Sequence, residues 1–165
     1  MRKYITIATL VMLMASCNKY EDGPSFSLRS AKNRLTGQWK LSKIIFNDKD
    51  ISQGYFSSNL ESFPFSIYTD WSRDYFIGIS YTDGNIIAKS DLELNRQNTK
   101  MTFALKPQAP YESVSTDIFC TIPALHDTTE WKILRLKNDE LWIKTDFENN
   151  NYEIHFDLLA DLIDY

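Results

Sequence analysis

Cysteine, histidine and glycine are scarce in this chain, with two, two and five residues respectively among 165. Two cysteines cannot build the disulfide framework that staples many small secreted domains. Cys120 lies between Ile118 and Ile122 at strand spacing, so we expect it to be a buried apolar residue. Neither histidine has a second ligand at metal spacing, and no glycine-rich phosphate loop or G-x-S-x-G motif occurs. We therefore expect no metal, no cofactor and no enzymatic activity.

The chain also has no excess of positive charge and no long hydrophobic run. Eighteen Lys and Arg residues face 22 Asp and Glu residues, which gives a net charge of −4. Binding to nucleic acid needs clustered basic residues, so we expect no nucleic-acid partner. The uncharged run at residues 5–14 is only ten residues long, whereas a membrane-spanning helix needs about 20.

The start of the chain instead resembles a secretory signal. Arg2 and Lys3 precede the short apolar run and small residues follow it. The stretch "MASC", residues 14–17, resembles the lipobox of bacterial lipoproteins, although Met14 stands where the family usually has leucine. The resemblance implies that residues 1–16 are a cleaved signal peptide and that Cys17 carries lipid, including palmitate. Two or more acyl chains hold a protein stably on a membrane.

Residues 17–34 are polar, contain Gly23-Pro24 and show no apolar period, which is typical of a flexible tether. Glu21 and Asp22 resemble an early acidic pair that sorts some bacterial lipoproteins to the outer face of the outer membrane. A solvated linker explains the pair equally well. We expect a lipid-anchored protein of the cell envelope at the outer membrane, and the sequence leaves its periplasmic and surface faces equally open.

Residues 35–165 are the length of one domain. Apolar residues recur every second position in them, as in "YEIHFDL" at 152–158, which predicts half-buried strands. We predict nine strands, with eight to ten as the range: 36–46, 63–69, 74–82, 86–94, 99–105, 117–122, 129–136, 140–146 and 152–158. Turn residues separate them at 83–84, 95–98, 137–139 and 148–151. The pattern predicts an all-β, antiparallel, up-and-down meander, which most simply avoids exposed edges by closing into a barrel.

Gly37-Gln38-Trp39 opens the first predicted strand and resembles the G-x-W motif of lipocalins and of lipocalin-like bacterial lipoproteins. The resemblance implies a small antiparallel barrel in which Trp39 plugs one end. It also implies that a small apolar molecule could be the ligand, although many members of that bacterial group have no assigned role. A shared fold does not by itself establish a shared function.

Two functions are therefore open. In the first, the barrel binds a small apolar or amphipathic ligand in its mouth. In the second, the barrel is filled and serves as a non-catalytic interaction or structural module that docks an envelope protein. Eight strands enclose just enough room for side chains or for one small ligand. Many inward candidates are bulky, which favours a small pocket or none: Trp39, Phe63, Phe65, Tyr75, Tyr81, Phe103, Trp131, Tyr152 and Phe156.

Any mouth should lie opposite the Trp39 plug. The two longest predicted connections, 47–62 and 106–116, share that end if successive connections alternate between the ends of a meander. The candidate ligand-binding residues there are aromatic: Tyr55, Phe56, Phe63 and Tyr111. Long loops in compact domains are often functional. Alternatively, these side chains fold inward as a lid on a filled barrel.

The lipid anchor gives a direct prediction. Replacing Cys17 with Ser should block thioether formation, which precedes cleavage, and leave an uncut precursor without label from radioactive palmitate. Gel mobility and palmitate incorporation measure both effects. Normal processing and labelling of the Cys17→Ser chain would contradict the lipobox interpretation.

Overall fold

The computed structural model describes residues 30–53, 65–69, 75–80, 85–109 and 122–160. Its elements, in chain order, are helix α1 (Ala31–Leu35), β1 (Gly37–Phe46), β2 (Lys49–Asp50), β3 (Phe65–Thr69), β4 (Tyr75–Ser80), β5 (Ile86–Leu94), β6 (Lys100–Phe103), β7 (Lys106–Pro107), a 3-10 turn (Pro123–Leu125), β8 (Thr129–Leu136), β9 (Glu140–Phe147) and β10 (Asn150–Ala160).

Eight of these strands form a closed antiparallel barrel. Each pairs with the next in the order β1, β3, β4, β5, β6, β8, β9, β10, and β10 pairs back with β1. The two shortest strands extend this barrel: β2 folds back on the end of β1, and β7 pairs with β5 in the same register as β6. The predicted all-β, up-and-down barrel is confirmed, with eight strands closing it.

Eight of the nine predicted strands correspond to the barrel strands. The remaining one, 117–122, lies outside the described residues except for Ile122, which precedes the 3-10 turn and is in no strand. β6 pairs directly with β8, from Lys100 opposite Lys132 to Phe103 opposite Thr129. The barrel therefore closes without a strand between β6 and β8.

The alternation of inward and outward residues shifts phase where a strand carries an extra residue. In β1, the register with β10 slips between Leu41 and Lys43, so that Ser42 has no partner. Leu41 is inward before this bulge and Ile44 is inward after it. A similar slip lies between Ile133 and Arg135 in β8. Bulges increase local twist and bend, which helps a sheet to curve into a barrel.

The predicted turns at 148–151 and 95–98 are confirmed by their backbone angles. Glu148 and Asn149 have φ of 50° and 62°, and Phe147 pairs with Asn150 across them, which makes a two-residue hairpin loop. Asn98 has φ of 51°, and the side chain of Asn95 accepts the backbone N–H of Thr99 at 2.8 Å. Short polar side chains tolerate this left-handed region better than others do.

The barrel has two ends, which we name by a residue near each. The Trp39 end carries helix α1 and the turns at 95–99 and 137–139. The Asn47 end carries the turns at 47–48 and 148–149. Both long connections, after Phe46 and after Pro107, begin at the Asn47 end because β1 and β6–β7 run toward it.

The β9–β10 turn allows a stability prediction. Asn149→Val should lower the free energy of unfolding by about 1–2 kcal/mol, because a β-branched side chain is strained at positive φ. Asn149→Gly should change it little. Asn138→Val, in a turn residue without positive φ, is the matched control. Denaturant unfolding measures all three, and equal losses for the two valine variants would contradict the assignment.

Candidate functional site

Trp39 and helix α1 lie together at the end of the barrel where β1 begins. Trp39 is completely buried, and its indole N–H donates to the carbonyl of Leu35, the last residue of α1, at 2.9 Å. Arg34 donates from its guanidinium to the carbonyl of Leu136 at the end of β8. Ala31 and Leu35 are buried against the same core. Residues 31–34, which the sequence assigns to the tether, thus pack on the barrel as part of the domain.

The described part of the barrel interior is filled with side chains. Of the bulky inward candidates, six are buried: Trp39, Phe65, Phe103, Trp131, Tyr152 and Phe156. Tyr75 is half-buried and packs against them, whereas Phe63 and Tyr81 lie outside the described residues. Phe103 stacks on Trp131 with centroids 5.9 Å apart, and Phe65 meets Phe156 edge-on at 5.1 Å. Such contacts leave little free space between these aromatic side chains.

Part of the second long connection also enters the core. Ile122, Ala124 and Leu125, in and beside the 3-10 turn, are fully buried. The backbone N–H of Leu105 donates to the carbonyl of Leu125 at 2.8 Å, and His126 Nδ1 donates to the carbonyl of Leu105 at 2.9 Å. The described end of the connection therefore folds inward and contributes to the filling.

The candidate ligand-binding residues Tyr55, Phe56, Phe63 and Tyr111 all lie outside the described residues. The same holds for Cys17 and Cys120. What the structure adds is the placement of their flanking strands, which brings the starts of both long connections to the Asn47 end. Trp39 is the single predicted site residue that the structure describes.

The outer face of β8, β9 and β10 carries a stack of three side chains. The Arg135 guanidinium lies 3.8 Å from the ring centroid of Trp142, and the His155 ring lies 4.1 Å away on a nearly parallel plane. Glu153 completes the cluster, with Oε1 2.7 Å from His155 Nε2. His155 is only 9 % exposed although it points away from the interior. The stack covers three strands and contributes to packing on this face.

A groove of about 430 Å³ lies on the outer face of β5, β6 and β7. Lys89 and Lys106 line one part of it, and Asp91 and Glu93 line another. Sequence reasoning missed this site. The alternation in β5 indicates outward charges there, but pairing β5 with residues 100–107 requires the tertiary register.

The resolved shifts of side-chain pKa lie outside this groove. A hydrogen bond from Lys137, aided by the charge of Arg135, lowers the pKa of Glu140. Hydrogen bonds from Ser52 lower the pKa of Asp50. Burial raises the pKa of Tyr152, and the nearby Glu148 charge adds to that shift. Hydrogen bonds, ion pairs and burial at strand ends and turns account for these shifts.

No protein-family model matches the chain, and no curated protein matches it either. The described residues hold no cluster of three or more His, Cys, Asp or Glu side chains suited to a metal ion. Within the same ranges, no helix is both long and apolar enough to cross a bilayer.

The plug gives a graded prediction. Trp39→Phe keeps most of the buried ring but leaves the Leu35 carbonyl without its donor, so the free energy of unfolding should fall by about 1–3 kcal/mol. Trp39→Ala should cost about 3–5 kcal/mol, because it also opens a cavity. Trp142→Phe, on the outer face, is the control and should cost less than Trp39→Phe. An unchanged stability of Trp39→Phe in denaturant unfolding would contradict the plug.

Proposed function

We propose that this protein is a lipid-anchored, non-catalytic module of the cell envelope, and that its filled barrel docks an envelope protein through the outer surface. The observation that carries the proposal is the filling of the described interior. Side chains of eight strands, helix α1 and the 3-10 turn occupy it. A barrel filled by its own side chains has its recognition surface outside.

The lipobox-like stretch supports the anchored part of the proposal. Cys17 would carry the lipid, and residues 18–29 would lead to helix α1 at Ala31. A flexible chain of about 12 residues has an average span of about 20 Å. The domain would therefore stay near the outer membrane while its surface remained accessible to neighbours. The acidic mature chain, with 16 basic and 22 acidic residues, adds no electrostatic attraction to anionic lipid.

A second candidate function is the binding of a small apolar or amphipathic ligand. The observation that favours it is the start of both long connections at one end, opposite Trp39. Tyr55, Phe56, Phe63 and Tyr111 would line this mouth. This candidate needs free space at the Asn47 end, and the inward-folded residues 122–125 reduce the room available there.

An apolar fluorescent probe separates the two candidates. Titration of the full-length protein with N-phenyl-1-naphthylamine should give no saturable rise in fluorescence, because buried side chains occupy the described interior. Trp131→Ala, which empties an interior position, is the positive control and should gain binding if it folds. Saturable binding to the unmodified protein, lost in a Tyr55→Ala and Tyr111→Ala double variant, would overturn the filled-barrel proposal in favour of the ligand binder.

Photo-crosslinking tests the docking part. Benzoylphenylalanine in place of Phe76, which lies on the outer face of β4, should give a discrete adduct with an envelope protein in cells that carry the anchored chain. The same probe in place of Asn138, in a turn at the Trp39 end, is the control and should not. No discrete adduct from either position would contradict docking through the outer face.

A further inference from the structure

The groove on the outer face of β5, β6 and β7 exists because the ladder between β6 and β8 is broken. The backbone N–H of Leu105 donates to the carbonyl of Leu125, which precedes β8, and not to a residue of β8. The N–H of Ala104 donates to the Ser90 hydroxyl at 2.9 Å, so that a side chain replaces a backbone partner. Ala104 has a small side chain and lines the floor. A broken ladder and a small residue together leave the depression of about 430 Å³.

The charges around the groove are separated by sign along its length. Lys89 pairs directly with Lys106, and Glu93 pairs with Thr102. Because the two pairings share one register, Asp91 stands opposite Ala104 between them. Two lysine positions therefore lie toward the Asn47 end, and two acidic positions lie toward the Trp39 end. The four residue steps from Lys89 to Glu93 span about 13 Å at the rise of a strand.

None of these four side chains forms an ion pair within the described part of the chain. Like charges directly opposite each other, such as Lys89 and Lys106, destabilise a sheet. The Lys89 ammonium lies 4.3 Å from the Phe76 ring centroid and 5.7 Å from that of Tyr68, so it leans over β4 and β3, on the side of β5 away from Lys106. Lys106, Asp91 and Glu93 remain to meet a ligand in the groove.

We propose that this groove binds a short peptide with free termini, whose carboxylate meets Lys106 and whose ammonium meets Asp91 and Glu93. An extended tripeptide spans about 10 Å between its ends, which matches the separation of the charges. A single amino acid carries its two charges too close together to reach both. The volume lies in the range of small-ligand sites. Hydroxyl groups of Thr102 and Thr128 line the walls and can bond the peptide amides.

This inference rests on the proposed function in one respect, namely that recognition takes place on the outer face. It adds a ligand class that the docking proposal does not require. A peptide in an open, charged groove should bind weakly, and salt should weaken the binding further because the charges are exposed.

The test is a calorimetric titration of the full-length protein with trialanine at low ionic strength. We expect saturable binding of trialanine. N-acetyl-trialanine and trialanine amide, which each lack one terminal charge, should bind about two- to fivefold more weakly, as expected for the loss of one exposed ion contact. Lys106→Gln and Asp91→Asn should weaken trialanine binding to a similar extent. Ala104→Phe, which fills the floor, should abolish it.

Two variants control for net charge. Lys49→Gln and Asp157→Asn make the same charge changes at exposed positions outside the groove and should leave trialanine binding unchanged. The inference is overturned if trialanine shows no saturable binding, if the capped peptides bind as tightly as trialanine, or if the controls weaken binding as much as the groove variants. Its failure is distinguishable from failure of the docking proposal, because the Phe76 crosslink does not depend on a free peptide.

Discussion

The pairing of the first barrel strand with the last is the interaction on which the rest of this structure depends. β1 and β10 pair along almost their whole length, from Gln38 opposite Ala160 to Phe46 opposite Tyr152. Without that seam, both strands would present unpaired edges. At the Asn47 end, Asn47 secures the seam from two directions. Its backbone N–H donates to the carbonyl of Asn151 at 2.9 Å, and its side-chain oxygen accepts the N–H of Asn151 at 2.8 Å.

Closure in turn determines what fills the barrel. Once eight strands are joined in a ring, inward side chains from all of them converge on a space that eight strands keep narrow. Trp39 lies beside the seam, opposite both Leu158 and Phe65, and so links the seam to the plug formed with α1. Inward aromatic residues of neighbouring strands meet in pairs, as Phe103 and Trp131 do. Because the described interior is filled, we propose that the outer face is the surface that contacts other molecules.

The outer face is not uniform. On one side, the side chains of Arg135, Trp142 and His155 stack on one another across three strands. On the other side, the interruption of β6 at Ala104 leaves a groove whose charged side chains form no ion pair within the described part of the chain. The contrast has a physical basis, because continuous ladders bring side chains of neighbouring strands into regular contact. A broken ladder leaves them apart.

Local pattern in the sequence determined most of the barrel. Alternating apolar residues predicted eight of its strands, and Asn-rich stretches predicted turns whose positive φ angles were then found. These features depend on near neighbours in the chain, so a sequence can reveal them. Tertiary structure alone decided the rest. The bulge at Ser42, the register that sets Lys89 against Lys106 and the burial of residues 122–125 all depend on pairing between distant segments. The strands must pair in a register that lets them close into a ring, and no local sequence pattern specifies that register.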